Sequence, residues 1–167
     1  MDIVGILCLW ILVNYHKKQI METLEFKINI KAPRETVWNI LWTDETYRKW
    51  TSVFCEGTYV VSNWNEGDKI HFLDPNGEGM NSIIEKKIPS EYMAFRHISA
   101  LKNFKEMPID EETKTWTGAM ETYRLTLENG YTILDAKVDT LEKYIDYFKD
   151  VFPKGLEMVK ELSEEKE

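Results

Sequence analysis

Apolar and polar residues alternate on both sides of Asn129-Gly130. An Asn-Gly pair between two alternating stretches is a strong signal for a tight β-hairpin. Because strand side chains alternate between faces, one register gathers the apolar residues on one face and opposite charges on the other. The predicted cross-strand pairs are Leu127 with Thr132, Leu125 with Leu134, Tyr123 with Ala136 and, on the other face, Arg124 with Asp135.

The apolar row of this hairpin continues to Glu121, which faces Val138. A buried carboxylate without a partner is costly, so Glu121 has to meet a hydrogen-bond donor or water. His97 closes the preceding predicted strand and lies at the same end of the sheet if the two strands are antiparallel neighbours. We therefore predict that Glu121 and His97 interact at the rim of a cavity and anchor a polar group of a ligand. The alternative is that Glu121 reaches past the strand end to solvent.

A strand and two short helices are predicted upstream. The stretch Leu24–Lys31 alternates strictly, which indicates a half-buried strand. Pro33 suits the first position of a helix in which Trp38 and Trp42 lie one turn apart on an apolar stripe. Asp44 is predicted to be the N-cap of a second short helix.

Strand-like runs separated by turn-rich links follow these helices. Residues 100–117 show no clear period, and we predict a long excursion between two strands, a candidate lid. Near the C-terminus apolar residues recur at helical spacing, but Pro153 and Gly155 interrupt the pattern. We therefore predict a short turn or kinked segment and then the main helix from about Pro153.

This order of elements predicts an α+β fold. We expect a curved antiparallel β-sheet of about six or seven strands wrapped around a long C-terminal α-helix, with two short helices after the first strand. An antiparallel sheet of this length twists and curls, and its concave apolar face needs a cover. A curved sheet around one helix leaves a space between them unless side chains fill it.

Composition narrows the class of protein. The 167 residues fit one domain, and 43% apolar with 30% charged residues is typical of a soluble globular chain. The net charge of −8 argues against a nucleic-acid partner, because phosphate binding needs a basic surface. Cys8 and Cys55 form no disulfide framework, which favours a reducing compartment, and we expect a cytoplasmic location. No metal-ligand, phosphate-loop or nucleophile pattern is present, so we expect no metal, no cofactor and no catalytic residue.

The first 21 residues differ from the rest, and the domain itself is predicted to span residues 22–167. Ile3–Val13 is an apolar run of 11 residues, whereas a membrane-spanning helix needs about 20. Lysines follow this run instead of preceding it, and no small-residue cleavage site follows, so the segment does not fit a secretory signal. Three interpretations stay open: an upstream start with Met21 as the true initiator, a weak interfacial anchor, or a helix packed on the domain or on a partner. Membrane contact is expected only if this segment is part of the expressed protein.

Six stretches carry a resemblance to a known family: INIKAPRETVWNIL, RKW, GDKIHF, IPSEYMAF, ETYRLTLENGYTILDAKVD and FPKGLEMVKELSEE. Across residues 24–165 the chain resembles the START-like, or SRPBCC, superfamily, whose helix-grip fold is also seen in the birch pollen allergen. Within it, the chain is most similar to homologues of an activator of a heat-shock chaperone ATPase. One departure is His97, where many relatives carry tryptophan. The resemblance implies a hydrophobic cavity between sheet and helix. Members bind lipids, hormones or polyketides, some catalyse cyclisation, and the chaperone activators bind protein.

Three functional hypotheses follow. The first is a non-enzymatic START-like domain that buries a small apolar or amphipathic ligand in the cavity, with one or two polar groups fixing its orientation. The second is a co-chaperone-like module that binds a protein partner, which predicts a filled core and an exposed apolar patch. The third is a cyclase or hydratase type of enzyme, which requires at least two convergent ionisable groups inside. The candidate ligand-binding residues are Trp42, Trp50, Phe72, Phe95, His97, Glu121, Tyr123, Leu125, Leu134, Leu156 and Val159.

Removing residues 1–20 should shift the thermal unfolding temperature by no more than about 2 °C. The reason is that the apolar run Ile3–Val13 has no matching periodic partner, whereas the alternating strand begins directly after Met21. The measurement compares thermal unfolding of the full chain with that of a chain starting at Met21. A loss of many degrees would show that the segment packs into the fold.

Overall fold

One antiparallel sheet forms the body of a computed structural model of the chain, which describes residues 20–165. The order of strands across the sheet is β1-β8-β7-β5-β4-β3-β2, and β6 adds a short pairing at the end of β5. The strands are β1 (Met21–Ile30), β2 (Tyr59–Val61), β3 (Lys69–Leu73), β4 (Gly79–Ile88), β5 (Tyr92–Lys102), β6 (Lys105–Glu106), β7 (Met120–Glu128) and β8 (Tyr131–Leu141). The helices are α1 (Arg34–Trp42), α2 (Asp44–Thr51) and α3 (Ile145–Glu164), with 3-10 turns at Thr113–Thr115 and Glu142–Tyr144.

This architecture confirms the predicted α+β fold, with two short helices after the first strand and a long C-terminal helix. The sheet has eight strands instead of six or seven, because the two residues of β6 pair with the end of β5. None of the described helices is both long and apolar enough to cross a membrane. The predicted N-terminal extension lies outside the described residues, apart from Ile20 and Met21.

The β7–β8 hairpin has the predicted register at every pair. Asn129 and Gly130 have φ values of 51° and 79°, the two positive values that a type I′ turn requires. Leu125, Leu134 and Ala136 are buried, whereas Leu127 near the turn is 64% exposed. The hairpin therefore extends beyond the core at its tip.

The C-terminal helix begins at Ile145, earlier than the predicted start near Pro153, and Pro153 lies inside it. A proline in a helix removes one backbone hydrogen bond. Burial of the flanking aromatic residues outweighs this loss, because Phe152 stacks on Phe26 with ring centroids 4.8 Å apart. Gly155 is also explained by packing: a Cβ atom there would lie 3.0 Å from the ring of Phe54.

The predicted excursion at residues 100–117 is largely ordered structure. Strand β5 continues past His97 to Lys102, and a tight turn at Asn103 and Phe104 leads into β6. Both turn residues have positive φ, 49° and 63°, as in the Asn-Gly turn. The sequence shows no Asn-Gly or Asp-Gly pair here, which is why the alternation did not identify this hairpin.

Helix boundaries differ from the predictions by one residue. Thr43, and not Asp44, is the N-cap of α2, and Asp44 is its first helical residue. Pro33 likewise precedes the first helical residue of α1, Arg34. The acidic residues in the first turn of α2 still interact favourably with the helix dipole.

Candidate functional site

A pocket of about 360 Å³ opens between one end of the sheet and the start of α3. Four parts of the chain form its wall: α2 with the loop after it, the β3–β4 hairpin, the inward faces of β5 and β7, and the first turns of α3. Trp42 at the end of α1 completes it. The lining residues are Trp42, Tyr47, Trp50, Thr51, Phe54, Cys55, Thr58, Phe72, Leu73, Asp74, Glu78, Gly79, Met80, His97, Glu121, Tyr123, Tyr147, Phe148 and Phe152.

Aromatic rings make up most of the inner wall and hold one another in place. The ring centroid of Tyr123 lies 5.0 Å from that of Trp42 and 6.2 Å from that of Trp50, both in edge-to-face geometry. On the opposite side, Phe54 meets Phe152 edge-to-face at 5.0 Å. Such contacts are worth about 0.5–1.5 kcal/mol each beyond area burial, so the wall is preformed.

Polar groups converge at the inner end of the pocket. The Nε2 atom of His97 lies 3.4 Å from a carboxylate oxygen of Glu121, with 3% and 22% of the two side chains exposed. The predicted proximity of these residues is confirmed, but they lie at the inner end of the pocket and not at its rim. Glu121 pairs with Phe95 on β5, so His97 is its diagonal neighbour on the same face.

A β-bulge in β4 supplies the second partner of His97. The register between β4 and β5 shifts between Asn81 and Ser82, so that Ser82 lies opposite His97. The Ser82 hydroxyl is then 2.8 Å from Nδ1 of the imidazole. When the imidazole carries its proton on Nε2, Nδ1 accepts from the Ser82 hydroxyl and Nε2–H faces the Glu121 carboxylate.

Tyr123 extends this chain of polar groups from Ser82 and His97 through Glu121. Its hydroxyl donates to the Glu121 carboxylate, because residues two apart on a strand share a face. Burial and the negative charge of Glu121 raise the pKa of Tyr123 well above its ordinary value. The same two causes, in the same order, raise the pKa of the Tyr47 phenol. The negative charge of Glu121 therefore raises the pKa of two phenols.

Of the predicted ligand-binding residues, Trp42, Trp50, Phe72, His97, Glu121 and Tyr123 line the pocket. The other five, Phe95, Leu125, Leu134, Leu156 and Val159, are almost completely buried in the main hydrophobic core. Alternation and helical spacing identify which residues face inward. They do not separate the part of the interior that is packed from the part that is open.

The lining residues that sequence reasoning missed come from loops and from the ends of elements. Phe54, Cys55 and Thr58 follow α2, and the remainder of the missed set comes from α2 itself, the β3–β4 hairpin and the first turns of α3. Loops show no period, so hydrophobic patterning cannot place them. The glycine at position 79 is one signal in the sequence of a close backbone approach here. In the structure a Cβ atom at this position would lie 1.8 Å from the Phe72 carbonyl oxygen.

No group of three or more histidine, cysteine, aspartate or glutamate side chains within residues 20–165 is arranged to hold a metal ion.

Comparison with known proteins identifies the fold. No protein-family model and no curated protein sequence matches the chain. The Aha1 dimer from Colwellia psychrerythraea is similar in structure, with a TM-score of 0.59 at 20% identity, over 85% of this chain and 93% of that chain. MLL2253 from Mesorhizobium loti has a TM-score of 0.67 at 12% identity, over 87% of this chain and 99% of that chain. DynU16, of the dynemicin biosynthetic locus, has 0.63 at 13% identity, over 85% of this chain and 47% of that chain.

At these identities the similarity shows the fold alone. The chain has the α+β, helix-grip-like fold that its sequence resemblance implied, and membership of the START-like superfamily stays a prediction. The neighbours do not favour one branch of that fold over another. The resemblance to the chaperone ATPase activators therefore stays a prediction.

Tyr47 and Tyr123 should remain protonated after the exposed tyrosines have ionised. Because burial raises the pKa of both phenols in the folded state, the unfolded chain loses these protons first. The free energy of unfolding should therefore fall as pH rises above about 10, the ordinary phenol pKa. Phenolate absorbance and circular dichroism, recorded together during an alkaline titration, measure both effects.

The control for this titration is Tyr131→Phe, which removes an exposed phenol. It should remove signal from the early part of the titration, whereas Tyr123→Phe should remove signal only from the late, unfolding-linked part. Ionisation of all eight tyrosines near pH 10 with the fold intact would contradict the prediction.

Proposed function

We propose that the domain binds a small, mostly apolar molecule in the pocket between the sheet and α3. The observation that carries this proposal is a preformed aromatic pocket with a small set of polar groups at its inner end. A volume of about 360 Å³ lies at the lower end of the range typical of small-molecule sites. The aromatic wall takes up the apolar body, and the Glu121 end orients a polar group.

The energy of such binding comes mainly from burial. A ligand that buries about 200 Å² of apolar surface gains about 5 kcal/mol at 25 cal/mol per Å². Preformed walls reduce the ordering cost that offsets this gain. A gain of about 5 kcal/mol corresponds to a Kd of roughly 0.2 mM, which hydrogen bonds at the polar end improve and make specific.

A protein-interaction role is the second candidate, and one observation favours it. An exposed apolar group lies at the sheet end near the β7–β8 turn, with Leu127 on one face of the sheet and Tyr131 and Ile88 on the other; these side chains are 64%, 44% and 40% exposed. A hydrogen bond from the Leu125 amide to the Glu91 carbonyl oxygen brings the β4–β5 turn beside this hairpin.

The enzymatic alternative required two convergent ionisable groups, and His97 and Glu121 meet that requirement. Both groups are already engaged, with Ser82 and Tyr123 as their further partners. This arrangement is suited to holding a polar group in a fixed direction. We therefore propose binding without chemical change, and turnover of a captured ligand would overturn that part of the proposal.

Filling the pocket should abolish ligand uptake with little effect on stability. Met80 is half-buried on the wall, and Met80→Trp replaces its linear side chain with an indole ring that occupies the open space. We expect the parent protein to take up an apolar fluorescent probe. In Met80→Trp the Kd should rise at least tenfold, which is a loss of about 1.4 kcal/mol of binding free energy. Fluorescence titration measures Kd, and native mass spectrometry of protein from its own host tests for a co-purifying molecule.

Met120→Trp is the matched control, because Met120 is also half-buried but lies on the outer face of the sheet. It should leave probe uptake unchanged. Absence of uptake by the parent, or an equal loss in both variants, would overturn the proposed function.

For the second candidate, Leu127→Asp is the informative change. It adds a charge to the exposed apolar group far from the pocket, and should weaken binding to a heat-shock chaperone ATPase if that group is the interface. Stimulation of the chaperone's ATP hydrolysis measures the effect, with probe uptake in the pocket as the internal control. Unchanged stimulation by the variant would exclude this surface.

A further inference from the structure

The formal charge on the pocket wall is almost entirely negative. Asp74, Glu78 and Glu121 line it, and none of the described lining residues is lysine or arginine. His97 is the one described lining residue that is able to carry a positive charge, and its two nitrogens already face Ser82 and Glu121. An incoming molecule therefore meets carboxylates at both the mouth and the inner end.

Glu121 retains the capacity to bind a donor. A carboxylate has about four lone-pair sites, and the contacts with Tyr123 and His97 use one on each oxygen. With 22% of its side chain exposed, the group is reachable but largely removed from water. A charge-assisted hydrogen bond in such surroundings is about twice as strong as a neutral one.

The two carboxylates at the mouth are held near it by the β3–β4 turn. Asp74 accepts hydrogen bonds from the backbone N–H groups of Asn76 and Glu78, at 2.8 and 2.9 Å, which fixes the turn. Glu78 itself is exposed. The negative potential therefore extends from the solvent side of the pocket to Glu121.

The aromatic wall favours the same sign of charge in a ligand. Ring faces of tryptophan and tyrosine attract cations within about 6 Å, and Trp42, Trp50 and Tyr123 line the same pocket as Glu121. The indole N–H of Trp42 is not accessible to solvent and lacks a hydrogen-bond partner among the described residues.

We propose that the pocket selects an apolar molecule that carries a protonated amine, and discriminates against a carboxylate of the same size. The amine lies against Glu121, and the apolar body lies among the aromatic rings. This inference rests on the proposed ligand-binding function and adds the chemical class of the ligand to it.

Three probes with the same ring system test ligand binding and amine selectivity separately: naphthylmethylamine, naphthylmethanol and naphthoate. Isothermal titration calorimetry at neutral pH gives the Kd of each with the full chain. We expect the amine to bind at least roughly tenfold more tightly than the alcohol, and the carboxylate to bind most weakly.

The outcomes are distinguishable. Equal binding of all three probes, or preference for the carboxylate, overturns the amine selectivity and leaves the proposed function standing. Binding of none of them overturns the proposed function and the selectivity together.

Glu121→Gln and Glu128→Gln form a matched pair, because each removes one carboxylate from strand β7 and only the first lies in the pocket. The amine preference should fall at least roughly tenfold in Glu121→Gln, whereas Glu128→Gln should leave both the amine preference and alcohol binding unchanged. An equal effect of the two variants would show that net charge, and not Glu121, determines selectivity, and would overturn the proposal. If Glu121→Gln does not fold, Glu78→Gln at the exposed mouth should still weaken amine binding more than Glu128→Gln does, and no difference between them would overturn the proposal.

Discussion

The contact between the apolar face of the sheet and α3 is the interaction on which the rest of the structure depends. Leu156 and Val159 are buried against the inward residues of the sheet, and Phe152 stacks on Phe26. Both ends of the helix are tied down: the Tyr147 hydroxyl donates to the Phe54 carbonyl oxygen, and the Lys31 amide donates to Glu164. These contacts fix the position of the helix beside whose first turns the pocket opens.

The sequence predicted correctly those elements in which turn residues, hydrophobic pattern and charge pairs indicate the same structure. In the β7–β8 hairpin the turn residues, the apolar row and the charged pair all specify one register, and the structure has that register. The start of α3 could not be predicted in this way. Pro153 and Gly155 both disfavour helix interiors, and only tertiary contacts, the stacking of Phe152 and the close approach of Phe54, explain why the helix continues through them.

The candidate site was likewise predictable from the sequence only in part. Alternation placed His97 and Glu121 on the same inward face, and their proximity followed from strand adjacency. The partner of His97 was not predictable, because a β-bulge determines that Ser82 lies opposite it. Phe54 and Glu78 were missed as well, since they lie in loops whose positions depend on the elements that they connect.

The separation between packed core and pocket wall has a consequence for how such a protein diversifies. Truncation of Phe95, Leu125 or Leu134 would remove packing contacts from the core and destabilise the fold. Wall positions such as Met80 border open space instead. Mutations at wall positions that border open space, such as Met80, should therefore cost little folding free energy while they alter what is recognised. The three solved structures compared above share 12–20% of their residues with this chain, so this fold is compatible with replacement of most side chains.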